Sequence, residues 1–232
     1  TGEFVVYFAL IGLGGGVIMA LTVGTFDALD MDVEWLIQDW VLPVGVAGAL
    51  VVAAWLVEAK QNVVENIAPV LTRVFTPITA IMLLTLLGAF VVAENLVEVE
   101  RDLLILLDLI LVLVLGLLLY AISARDPLAA PDLFDYLQVL LVASALALDI
   151  LMLAAIVTRI TEFGFTPNRV AALGMNLVLL VNLAWSLRLC IAFVRRRSGF
   201  GALERWQTQY LPVYGIWAAA LVLLLPPIFD FV

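Results

Sequence analysis

Two aspartates stand inside long apolar blocks. Asp108 is flanked by Leu106-Leu107 and Leu109-Ile110, and Asp149 by Ala147-Leu148 and Ile150-Leu151. An ionised carboxylate at the centre of a lipid bilayer costs at least about 2.5 kcal/mol, so each side chain needs a partner, a wet cavity or a proton. A pair of such carboxylates suits proton or cation coupling. The same residues also serve as polar glue that fixes helix packing.

Depth along the expected helices groups further residues with this pair. Asp108 is expected five residues below the outer membrane edge and Asp149 eight, about 8 and 12 Å at helical rise. Asn176 is expected near the same level. Glu94 and Asn95, with Arg159 and Arg169, fall at block ends where they would roof a polar pocket, and Arg169 or Arg159 is the expected countercharge. Arg188, close to the inner end of its block, is expected to snorkel to the headgroups, and Asn182 to bond a neighbouring helix. Pro77 is expected to release a backbone carbonyl, making it a hinge or a packing kink. The run Gly12-Leu13-Gly14-Gly15-Gly16 permits close backbone approach or local unwinding.

The elements holding these groups follow from composition. Of the 232 residues, 65% are hydrophobic and 13% charged, with mean hydropathy +1.18, against about a quarter charged in soluble domains. Seven apolar blocks are readable, at about 4–25, 40–57, 70–93, 103–122, 136–157, 170–194 and 211–230. Each suffices to cross a hydrocarbon layer about 30 Å thick, and a barrel would show shorter, alternating segments. The expected fold is an all-α polytopic bundle of about seven spans, one integral membrane domain over 1–232. The chain starts Thr1-Gly2-Glu3 and enters an apolar block at Phe4, so a fragment or a processed part of a longer protein is expected.

The charges set an expected orientation. Lys60, Arg73, Arg125, Arg195, Arg196, Arg197 and Arg205 fall on one side, against Arg101, Arg159 and Arg169 on the other. The positive-inside rule then gives a cytoplasmic N-terminus and an exterior C-terminus in a cell inner or plasma membrane, with lipids as partners. From Asp27 to Trp40 the chain carries five acids and no base, fitting either a short interfacial helix or an acidic loop. Pro226-Pro227 is expected to end the seventh helix.

Several chemistries have no residues to run on. There is no histidine and one cysteine, Cys190, so no internal disulfide forms and the commonest transition-metal ligand is missing. No HExxH or GxSxG motif occurs. The only lysine, Lys60, lies in a loop, which removes a retinal Schiff base within a span. No basic surface suits nucleic acid. No cofactor, catalytic residue or metal ligand is expected, and an enzyme is the third choice.

The segment Arg159-Ile160-Thr161-Glu162-Phe163-Gly164-Phe165-Thr166-Pro167-Asn168-Arg169 resembles the signature of a bacterial family of uncharacterised multi-pass membrane proteins. The resemblance extends over Ile67 to Phe193, with Phe75-Thr76-Pro77 as a softer match, and members are often longer by preceding helices. It implies an integral membrane protein and no particular reaction, substrate or cofactor. In the segment itself, Gly164 suits an unusual backbone angle, Thr166 a helix cap and Pro167 a first helical turn. Arg169 is expected either to lock this turn through Glu162 or to face a ligand.

Two functional classes follow. One is permease-like, proton- or cation-coupled transport of an ion or small molecule through Asp108 and Asp149. The other is a noncatalytic membrane scaffold or sensor whose polar groups specify packing alone.

Overall fold

Long leucine, valine and alanine runs satisfy their backbone groups internally, as lipid requires, so the chain is helical nearly throughout. A computed structural model describes residues 2–59, 63–92 and 101–229. The helices are α1 (Gly2–Asp27), α2 (Glu34–Leu36), α3 (Leu42–Ala59), α4 (Val63–Val92), α5 (Arg101–Ala124), α6 (Leu133–Phe163), α7 (Pro167–Val194) and α8 (Gly201–Ile228). Among the described residues, seven helical stretches are long and apolar enough to cross a membrane, which makes this an all-α, multi-pass membrane protein. Their outward faces carry exposed apolar side chains such as Val44, Val51, Ile216, Val222 and Leu223, the surface a lipid solvent accommodates. Glu94, Asn95 and Lys60 lie outside the described residues.

The acidic stretch after α1 is neither a separate interfacial helix nor a plain loop. A turn through Asp30, at φ 56°, leads into α2, and the π-helical segment Ile37–Val41 continues it into α3. Asp32 Oδ1 accepts from the Glu34 backbone N–H at 3.0 Å, and Gln38 Nε2 donates to Glu34 Oε1 at 2.8 Å. The widened turn falls just before Pro43, whose ring would clash with the Asp39 carbonyl in a regular α-helix. Trp35 and Trp40 are exposed at this end of the span, as expected of headgroup-level tryptophans.

The chain divides into two compact units. The first comprises Thr1–Met82 and Glu100–Arg125, the second Leu83–Val99 and Asp126–Val232. Within the first, α1 packs on α3 and α5. The α1 helix runs unbroken through its glycines. Only Gly14 of that cluster is in close contact, since a Cβ there would overlap the Phe75 ring.

The second unit is built on two consecutive helical hairpins, α6 with α7 and α7 with α8. At the start of α6, Asp132 Oδ1 accepts from the Phe134 and Asp135 amides while Asp135 Oδ2 accepts from the Asp132 amide, a reciprocal capping box. Gly164 ends α6 at φ 76°, a left-handed angle that disfavours any side chain. Thr166 then caps α7, its Oγ1 accepting from the Arg169 amide at 3.4 Å, with Pro167 in the first turn. The α7–α8 turn closes with Arg196 N donating to Phe193 O and Arg197 N to Ala192 O, both at 2.8 Å. Phe193 and Phe200 meet edge to face across it at 5.3 Å.

Candidate functional site in the second unit

The helices are longer than the apolar blocks, which changes how far each residue stands from its helix end. The expected fifth span, 136–157, extends in both directions to Leu133–Phe163, and Asp149 becomes the seventeenth of its 31 residues, at mid-helix. Asp149 lies fourteen residues before Phe163 and Asn182 fifteen after Pro167, about 21 and 23 Å from the connecting turn at helical rise. The level partner of Asp149 on α7 is therefore Asn182. Asn176, six residues nearer the turn, bonds its own helix through Nδ2 to Ala172 O at 3.0 Å and is fully buried. Asp149 has 0% exposure, and both its carboxylate oxygens are enclosed.

Around Asn182 the structure gathers a polar network across α7 and α8. Asn182 Nδ2 donates to Gln207 Oε1 at 3.2 Å and to Tyr214 Oη at 2.8 Å. Its Oδ1 accepts from Ser186 Oγ at 3.1 Å and from Trp206 Nε1 and Gln207 Nε2, both at 3.0 Å. Gln207 Nε2 also donates to Ser186 Oγ at 2.6 Å. Both amide hydrogens of Asn182 are used and its carbonyl is crowded with donors, so this interhelical amide has no capacity left. Tyr214 lies within Coulombic range of Asp149 on α6. An aromatic column flanks it, with ring centroids 5.6 Å apart for Trp185–Trp206, 4.9 Å for Trp206–Tyr210 and 5.6 Å for Tyr210–Tyr214.

The two helices approach closely because of a glycine. A Cβ on Gly174 would overlap the Trp217 indole, so the bare backbone of α7 forms the seat for that ring. Tyr210 Oη adds a bond to Val178 O at 2.8 Å. These contacts run antiparallel along α7 and α8 and hold the network at mid-span.

The other expected site residues occupy different places. Asp108 belongs to the first unit and is half-buried, whereas Asp149, Asn176, Arg159 and Arg169 belong to the second. Arg169 Nη1 donates to Phe163 O at 3.0 Å and Gly164 O at 2.8 Å, and its guanidinium lies 5.5 Å from the Phe163 ring centroid. It thus secures the turn through backbone carbonyls at the end of α6. Phe163 is fourteen residues from Asp149, about 21 Å, and Arg159 is ten, about 15 Å, so neither arginine is brought to that carboxylate. Arg188 is exposed and stacks 4.6 Å over Trp185. Pro77 lies inside an uninterrupted α4, and Pro226-Pro227 occupy the last turn of α8.

Gln207, Trp206 and Tyr214 were not among the expected site residues. The seventh helix was expected from about residue 211, but it begins at Gly201, ten residues earlier. Leu203, Gln207, Tyr210 and Tyr214 recur at helical spacing, a signal hidden by the polar run Glu204-Arg205-Trp206-Gln207-Thr208-Gln209. Among the described residues no group of three or more cysteine or acidic side chains is arranged to hold a metal ion. No family model, curated protein or solved structure matches the chain.

Proposed function

We propose that the chain is a permease-like membrane protein in which Asp149 binds and releases a proton, or a cation in its place, during coupled transport. The observation supporting this reading is a completely buried carboxylate at the midpoint of α6, level with a polar network on α7 and α8. A carboxylate at that depth is tolerated when protonated or neutralised, so its charge state responds to whatever occupies its surroundings. Tyr214 and Asn182 supply polar groups alongside it. Asp108, less buried, is the secondary carboxylate of the same proposal.

One observation favours the scaffold or sensor reading instead. Asn182 spends all its hydrogen-bonding capacity within the protein, as a packing lock between helices does. Proton flux separates the two. Proteoliposomes loaded with a pH-sensitive dye and energised by a potassium diffusion potential should acidify with wild type, lose that response with Asp149→Asn and retain part of it with Asp108→Asn. Equal flux in wild type and folded Asp149→Asn would overturn the assignment of Asp149, and no wild-type flux above empty vesicles would favour the scaffold.

The proposed orientation places the N-terminus in the cytoplasm and Val232 outside. The sole native thiol, Cys190, is buried, so single cysteines introduced at Asp30 and Arg196 can be read against it. An impermeant maleimide applied to intact cells should label position 30 and spare position 196.

A further inference from the structure

The first unit contains two buried hydroxyls that behave unlike four other helical threonines. Thr22, Thr25, Thr158 and Thr208 each donate to the carbonyl four residues back, at 2.7, 2.6, 3.0 and 2.9 Å. This internal bond is open to any helical threonine and costs no partner. Thr76 and Thr79, both 0% exposed, do not make it, and their Oγ1 atoms have no hydrogen-bond partner among the described residues. They sit one turn apart on one side of α4, on either side of Pro77. Pro77 has no N–H, so the carbonyl of Arg73 loses its usual helical donor at the same turn. Two fully buried neutral hydroxyls thus stand one turn apart in a span where an unsatisfied polar group is costly.

We propose that the Pro77 turn of α4 is a binding site for one ordered water molecule, held between the Thr76 and Thr79 hydroxyls. Water matches this pair because it donates to one hydroxyl oxygen while accepting from the other hydroxyl, satisfying both. A bare cation matches it poorly, since the turn itself supplies no carboxylate to balance a buried charge. The water makes the turn a hydrated joint within an otherwise continuous helix. This site is independent of Asp149.

The sign of a stability change tests it. Valine is the shape of threonine without the hydroxyl, so removing a truly unsatisfied hydroxyl stabilises the protein, while removing a water ligand destabilises it. Thr76→Val and Thr79→Val should each lower the Tm of the detergent-solubilised protein, by about 2–4 °C, with Thr76→Ser and Thr79→Ser near wild type. A raised Tm in both valine variants would overturn the proposal. Radiolytic hydroxyl labelling gives a second readout, because radicals formed on a bound water modify side chains beside it. Met82 is 7% exposed and lies one turn beyond Thr79, so it should be oxidised in wild type and spared in the double valine variant. Labelling of Met82 that is absent in wild type, or undiminished in the folded double variant, would contradict a bound water.

Discussion

The Asn182 network between α7 and α8 and the Pro77 turn of α4 both bury polar groups in apolar helices, and they resolve the cost in opposite ways. At the interface Asn182, Ser186, Trp206, Gln207 and Tyr214 satisfy one another across two helices, and Gly174 lets those helices close. At the turn, the Thr76 and Thr79 hydroxyls do not make the internal bond that would satisfy them. A saturated network holds helices in one arrangement. An incompletely satisfied one marks a place for a guest. Asp149 lies level with the saturated network on α6, which packs against α7.

The strongest way to break this contrast is to unpair the interface. Asn182→Leu removes five hydrogen bonds at about 0.6 kcal/mol each, so about 3 kcal/mol of stability should be lost. Denaturant titration in mixed micelles measures it, and a change under 1 kcal/mol would show that the network holds little. Gly174→Val should cost about 1–3 kcal/mol by driving a side chain into the Trp217 indole. Its intrinsic tryptophan emission should shift as that ring is displaced, and unchanged emission with unchanged stability would refute close packing there. Thr166→Ala should cost about 1 kcal/mol through loss of the α7 cap, read as a lower Tm. At the small end, Arg196→Gly should raise stability by several tenths of a kcal/mol, because Arg196 holds φ 55° in the α7–α8 turn. A lower Tm in that variant would mean that the arginine contributes more than its backbone strain costs.

Local chemistry was legible in the sequence wherever a residue acts on its own neighbours. Gly164, Thr166 and Pro167 take the turn, cap and first-helical positions their types suggest, and the long apolar blocks form helices. Asn182 likewise bonds across helices as a buried membrane asparagine should. What escaped was polar structure made between distant segments. Gln207 reads as loop beside Glu204 and Arg205 until Asn182, 25 residues earlier, supplies its partner. Asp149 stands farther from its helix end than the apolar block suggests because α6 runs to Phe163 through Arg159, Thr161 and Glu162, polar residues that apolar counting excludes from a span. Arg169 satisfies carbonyls at the end of α6 because the Gly164 turn brings it there, a consequence of backbone geometry and not of charge pairing.

The central claim is that Asp149 changes protonation inside the bundle. Infrared difference spectroscopy of reconstituted protein across a pH step measures this directly through the carboxylic-acid carbonyl stretch of a dry carboxyl group. The account predicts a pH-dependent band in wild type that vanishes in Asp149→Asn and shifts in Asn182→Leu. The same band persisting in folded Asp149→Asn, or no band in wild type, would contradict it.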